Sequence, residues 1–282
     1  AVEDPGYPDA RNILASRRCA LVPLPLDGRG LIVDERLHAC EYVYVTPSHQ
    51  SPTTVTMPLA RRRQLLARAA DADFVVIEDD YESETNYVGE STLALKGLDV
   101  AGRVIYVGSL SKTLAPGLRL GYLVATPELV REARALRRLM LRHPPANNQR
   151  AVALFLARGH HDSMVRRLSH AYKDRWQAMG DALSRHLPDS ARVPTFGGTS
   201  FWVKGPANLD ARELQLRGLE HGILLEAGEV HFMAEQPPLN YFRLGFSSIP
   251  VDRIEPGVRK LAALVHELTE ESNLRTGAGE SS

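Results

Sequence analysis

Cysteine is scarce: Cys19 and Cys40 are the only two in 282 residues, too few for a disulfide framework and without metal-ligand spacing. That usage points to a reducing, cytoplasmic compartment, with both thiols read as small apolar residues. No apolar run approaches the roughly 20 residues that span a bilayer, so no membrane partner is expected. The opening AVEDPGYPDA lacks the basic-then-apolar order of a secretion signal. Charge of one sign is also missing. Thirty-four Lys and Arg balance 34 Asp and Glu, which excludes an overall field attracting nucleic acid or anionic lipid. There is no internal repeat and no helix-turn-helix pattern with a basic recognition helix. What is present is a globular composition, 44% hydrophobic and 24% charged, on a chain longer than one ordinary domain.

Three short runs rich in Val, Ile and Tyr stand out: YVYVTPS (42–48), DFVVIEDDY (73–81) and RVIYVGS (103–109). Each ends in polar residues, the pattern of strands buried in a parallel sheet. Between the first two, Leu59, Leu65, Leu66 and Ala69 share one face of a predicted helix. Strand, helix, strand predicts an α/β fold with a mostly parallel sheet and a ligand at the strands' carboxyl ends. On this pattern Ser48-His49-Gln50, Asp79-Asp80-Tyr81 and Ser109 are expected to converge on one pocket. From residue 127 two long helices follow, separated by His143-Pro144-Pro145, and then an alternation that predicts a smaller α+β lobe. The expected division is a large domain over 1–145, a connecting helix over 146–187, a small domain over 188–272 and a disordered tail over 273–282.

The most informative stretch is SLSKTLAPGLRLGY (109–122). Pyridoxal 5'-phosphate needs a lysine for its aldehyde, a carboxylate facing its ring nitrogen, a donor to its ring oxygen, and hydroxyls with an arginine for its phosphate. Lys112, Asp79 and Tyr81 are the candidates for the first three, and Ser109, Ser111 and Arg119 for the phosphate. Pro116 and Gly117 would turn the chain so that Arg119 returns towards Lys112. Glu78 and Asp80 flank Asp79, and spacing alone does not choose among the three.

This segment resembles the lysine motif of the class I/II aminotransferases, the fold-type-I pyridoxal-phosphate enzymes. EDPGYP (3–8), HQSPT (49–53), IEDDYESE (77–84) and YFRLGFSS (241–248) follow in the family's order. The resemblance implies pyridoxal phosphate as cofactor, a homodimer, and Arg243 as the partner of a ligand carboxylate. TPSHQSPT with EDDYESE is similar to the MocR-type regulators of the GntR family, which fuse a winged helix-turn-helix to an aminotransferase-like sensor domain. That likeness implies an internal aldimine at Lys112, which an amine or amino-acid effector converts into an external aldimine. A true aminotransferase, moving an amino group between an amino acid and a 2-oxo acid, is the alternative, and a cofactor-free remnant a third. His49-Gln50-Ser51-Pro52 stands where the enzymes carry an N-P-x-G loop, leaving Gln50 or Ser51 to replace its asparagine; Thr54 stands where glycine is usual, and Ala227 where proline is common. The family's upstream glycine-rich segment is not found, so the chain is expected to be N-terminally truncated, with DNA contacted only through a winged helix lying outside it.

Among the remaining candidates, Tyr7 is expected to pack near the ligand, His49 to make a local hydrogen bond or lie near the cofactor, and Trp202 to be core. His160-His161-Asp162 is expected in a solvated loop, and Arg61-Arg62-Arg63 on a wet helix face.

Overall fold

The computed structural model describes residues 1–82, 84–87, 92–110, 112, 114–192 and 197–279. In chain order the first half gives β1 (Val2–Asp4), α1 (Pro8–Ser16), β2 (Pro23–Asp27), β3 (Gly30–Leu31), β4 (Tyr42–Val45) and α2 (Leu59–Asp71). It continues with β5 (Val75–Asp80), α3 (Leu95–Leu98), β6 (Val104–Ser109), β7 (Gly121–Val124) and α4 (Pro127–Leu141). The second half gives α5 (Ala146–Ala157), α6 (His160–His186), β8 (Ala191–Arg192), β9 (Ser200–Lys204) and α7 (Ala211–Glu220). It closes with β10 (Glu226–Ala227), β11 (Tyr241–Gly245) and α8 (Val251–Gly279).

The three Val-rich runs become β4, β5 and β6, parallel neighbours in a seven-stranded sheet of order β3-β2-β1-β4-β5-β6-β7. Only its two outermost pairings are antiparallel, β2 with β3 and β6 with β7. Period-2 side chains on the strands meet the period-3.6 stripe of α2: Val43, Val45 and Val76 pack in one core cluster with Leu65, Ala69 and Phe74. Each fully buried Leu or Phe there contributes roughly 1.5–3 kcal/mol. At the end of β6, Gly108 leaves room for the Tyr122 ring of β7, since an added Cβ would lie 2.3 Å from it.

A second, wholly antiparallel sheet of order β10-β11-β9-β8 carries the other core, where Phe201, Val203, Phe242 and Leu244 meet α6, α7 and α8. Trp202 is buried as expected, stacked on Tyr241 and edge-on to His231. The two sheets are joined through main-chain atoms. Arg11 of α1 donates to the Val230 and Phe232 carbonyls at 2.7 and 3.1 Å. The Gly6 amide donates to the His231 carbonyl at 2.9 Å, and Asp4 accepts from the Met233 amide at 2.9 Å.

Several expectations need correction. The connecting helix is two helices, because Gly159 takes a left-handed φ of 70° and ends the first of them. His160-His161-Asp162 then starts α6 rather than a loop, with His161 Nε2 3.3 Å from Glu84. The expected tail from 273 is helical through Gly279, α8 being secured by Asn208, which donates to the Thr269 carbonyl at 3.0 Å and to Asn273 at 2.8 Å. The arginine triplet is not a wet face. Arg61 pairs with Asp27 at 2.8 Å, Arg62 is fully buried, and only Arg63 is exposed. Thr54 adopts a left-handed φ of 60°, which explains why glycine suits the position better than a β-branched residue.

Candidate functional site

The carboxyl ends of β1, β4, β5 and β6 share one edge of the large sheet, where parallel sheets collect ligands. A cavity of about 640 Å³ opens there against the second sheet. Strand alternation decides which carboxylate reaches it. Along β5, Glu78 and Asp80 turn to one face and Asp79 to the other. Glu78 accepts from the Leu95 and Lys96 amides at 2.7 and 2.8 Å, and Asp80 accepts from the Tyr106 hydroxyl at 2.9 Å. Asp79 alone of the three lines the cavity, held from behind by the Tyr44 hydroxyl. Burial raises the Asp79 carboxyl above its ordinary range, so a cationic ring nitrogen facing it would relieve the cost of its charge.

Around the same cavity the chain places Tyr81, Ser109, Lys112, Arg119 and Arg243. The 3₁₀ turn Pro116–Leu118 and the left-handed Arg119, φ 49°, bring that guanidinium back beside Lys112. Lys112 Nζ lies 3.8 Å from Glu82, whose buried carboxylate accepts from Thr199 Oγ1 at 2.5 Å. Burial pushes the Tyr81 phenol well above its ordinary range, keeping it a hydroxyl donor at neutral pH. Ser111 lies outside the described residues.

The polar strand ends do not all converge here. Ser51 and Tyr7 line the cavity, but Ser48, His49 and Asp80 line a separate one of about 280 Å³ on the opposite side. Burial holds the His49 imidazole down at about 4, neutral at physiological pH. Gln50 turns inward, donating to the Pro5 carbonyl at 2.9 Å and to Glu3 at 3.2 Å, so that of the two only Ser51 lines the cavity. A third cavity, about 600 Å³, lies in the C-terminal lobe near Arg253 and Lys260 but has no carboxylate in its lining.

Four contributors were not legible in the sequence: Tyr44, Glu82, Glu226 and His231. Tyr44 alternates with the buried Val43 and Val45, a signal that could have exposed it. Glu226 becomes a neighbour of Arg243 only through the β10–β11 register, which no local motif encodes.

The model of the family described as "Aminotransferase class I and II" matches residues 1–261. The chain belongs to that family. It is 42% identical, over 93% of its length, to the HTH-type transcriptional regulator TauR of Rhodobacter capsulatus. It covers 54% of that regulator, about half. It is 31% identical to aromatic-amino-acid aminotransferase 1 of Thermococcus litoralis, over 94% of this chain and 66% of the enzyme. Among solved structures, the alpha-aminoadipate aminotransferase LysN of Thermus thermophilus, complexed with N-(5'-phosphopyridoxyl)-L-leucine, superposes with a TM-score of 0.89 at 30% identity. That match covers 95% of this chain and 70% of LysN. As an aminotransferase-like fold, the chain has the α/β, fold-type-I architecture of the family, with its mostly parallel sheet followed by the smaller antiparallel one. No helix among the described residues is long and apolar enough to cross a membrane.

Behind the cavity, Glu3 of β1 accepts from Thr46 Oγ1 at 2.7 Å and from the Thr46 amide at 3.1 Å, while its second oxygen is buried without a partner. Burial raises it from an ordinary value of 4.5 to about 7. The folded state therefore favours the protonated acid; that stabilisation is complete below about pH 4.5 and is lost as pH rises through 7. Its loss is on the order of 3 kcal/mol. The melting temperature of the native chain is expected to fall between pH 5 and 7 more steeply than that of Glu3→Gln, measured by circular dichroism. Equal slopes would show that Glu3 does not titrate in this window.

Proposed function

We propose that this chain is the pyridoxal-phosphate-binding, effector-sensing part of a MocR-type transcriptional regulator. The observation that carries this reading is the 42% identity to a helix-turn-helix regulator across 93% of the chain, on a fold that gathers a full set of cofactor donors. That donor set fits the cofactor: the Lys112 amine, the Arg119 guanidinium, the Asp79 carboxylate backed by the Tyr44 phenol, and hydroxyls face a single cavity. When bound, the cofactor supplies an aldehyde that captures primary amines and a ring that draws electrons from them.

The residues divide the work. Lys112 Nζ offers its amine to the aldehyde; Arg119 and Ser109, with Ser111, grip the phosphate; Asp79 holds the proton on the ring nitrogen; Tyr81 donates to the ring oxygen. Arg243, on the second sheet, binds the acid of an amino-acid ligand. Glu82, whose carboxylate lies 3.8 Å from Lys112 Nζ, would balance the charge of the lysine whenever its amine is free. Because Arg243 stands on one sheet and Lys112 on the other, an amino-acid effector bridges both lobes and favours one relative placement of them. A homodimer, a cytoplasmic location, and DNA contact through a winged helix elsewhere in the full protein belong to the same reading.

A second reading, a working aminotransferase, is favoured by Lys112 being exposed at the cavity and by the 31% identity to the Thermococcus litoralis enzyme. Incubating the cofactor-loaded protein with amino acids and 2-oxoglutarate separates the two. A sensor shifts the cofactor's visible spectrum without accumulating glutamate beyond one equivalent. Many equivalents of glutamate per site would establish the enzyme and overturn the sensor reading.

A further inference from the structure

Arg243, assigned above to a ligand's acid group, already holds an acid. Glu226 on β10 is its cross-strand partner on β11, and the Glu226 carboxylate accepts from Arg243 Nη1 at 3.1 Å. The arginine's Nε donates to Ser200 Oγ at 3.0 Å, which fixes the guanidinium plane along the strand. The other Glu226 oxygen lies 3.0 Å from His231 Nε2. Across the ring, His231 Nδ1 is 3.1 Å from the Gly6 carbonyl. The ring thus stands between two acceptors, a carbonyl and a carboxylate, one at each nitrogen. Glu226 is thus gripped from two sides, by Arg243 and His231. All three side chains line the same cavity as Lys112 and Arg119.

We propose that Glu226 is a specificity-determining residue, an internal competitor that a ligand's carboxylate must displace from Arg243. The inference rests on the assignment of Arg243 to the ligand's acid. A second carboxylate at the guanidinium, with Glu226 in place, sets two like charges side by side. Binding therefore exchanges partners: the ligand takes Nη1, and Glu226 stays with His231. His231 and Arg243 hold the Glu226 carboxyl down at about 2, so no ordinary pH releases it by protonation. The exchange weakens every ligand whose recognition depends on a carboxylate, and it leaves untouched an amine that brings no acid. The pocket is consequently biased against plain monocarboxylic amino acids unless their side chains compensate. Part of Glu226 is open to water, 45% of its side chain, so it turns off Arg243 while keeping its His231 contact, and the exchange does not require unfolding the sheet.

Because the pair is half exposed, its competition is worth about a fivefold change in affinity. Propionate, a bare carboxylate, is titrated into the native chain, Glu226→Gln and Arg243→Gln, with binding read by calorimetry and folding by circular dichroism. The amide introduced by Glu226→Gln retains an oxygen for Arg243 and His231 without the charge. The expected result is roughly fivefold tighter propionate binding to Glu226→Gln than to the native chain, and none to Arg243→Gln. Equal affinity in the native chain and Glu226→Gln, with loss in Arg243→Gln, would overturn the competition while leaving the acid subsite intact. No difference among the three would overturn the acid subsite and the competition together.

Discussion

Replacing Arg62 by alanine is expected to cost about 3–5 kcal/mol of folding stability, the range for breaking a buried ion pair by removing one partner. Arg62 sits on α2 with no exposed surface, and all three of its guanidinium nitrogens donate to backbone carbonyls. Nε donates to the Met57 carbonyl at 2.9 Å, Nη1 to Leu93 at 3.1 Å and Nη2 to Pro47 at 2.8 Å. Glu78, equally buried, lies 3.6 Å away. Alanine strands that carboxylate with only its two backbone donors and takes a donor from three carbonyls in an apolar setting, of which Pro47 keeps the Met57 amide. Methionine restores the volume but none of the donors, so Arg62→Met should remain well below the native chain. Adding Glu78→Gln to Arg62→Met should recover part of the loss by removing the stranded charge. Urea midpoints decide it. A loss under about 1 kcal/mol in Arg62→Ala would class the residue with ordinary surface substitutions and refute this account.

The second large effect is at Lys112. Among the described residues it is the only lysine lining the cavity; Lys96 is instead engaged by Asp99 and the Val104 carbonyl. The nearby Arg119 and Arg243 carry guanidiniums, not primary amines, and cannot substitute for it. Borohydride reduction of the protein with pyridoxal phosphate is expected to fix a pyridoxyl group on the peptide carrying Lys112, and Lys112→Ala is expected to give no labelled peptide from this cavity. Stoichiometric labelling of another lysine in the native chain would remove the basis of the proposed function. Ser109 and Arg119, the proposed phosphate partners, are unchanged in the variant, so loosely held cofactor that washes out on gel filtration is the expected residue of binding.

Local chemistry made part of this legible. Val-rich runs ending in polar residues marked β4, β5 and β6, and the spacing from Ser109 to Arg119 marked the loop that returns to Lys112. What escaped was set by pairing at a distance. Arg62 reads as one of three adjacent arginines, and only the Met57, Leu93 and Pro47 carbonyls closing over it make it internal. Asp79 could not be separated from its neighbours by spacing, because the alternation places any two of the three on opposite faces or the same one without naming the face. The β5 register against β4 and β6 names it. Short strands such as β8 and β10 hold two residues each and carry no periodicity to detect. Gly159 was legible as an interruption of the long helix, and its left-handed φ of 70° stands between the end of α5 and the start of α6.

The clasp made by Arg11 reads only main-chain oxygen, at Val230 and Phe232. A grip of that kind is blind to side-chain identity. Drift at positions 230 and 232 can proceed without misaligning the halves of the molecule, whereas erasing one guanidinium on α1 would leave the seam to the Gly6 and Asp4 contacts beside it.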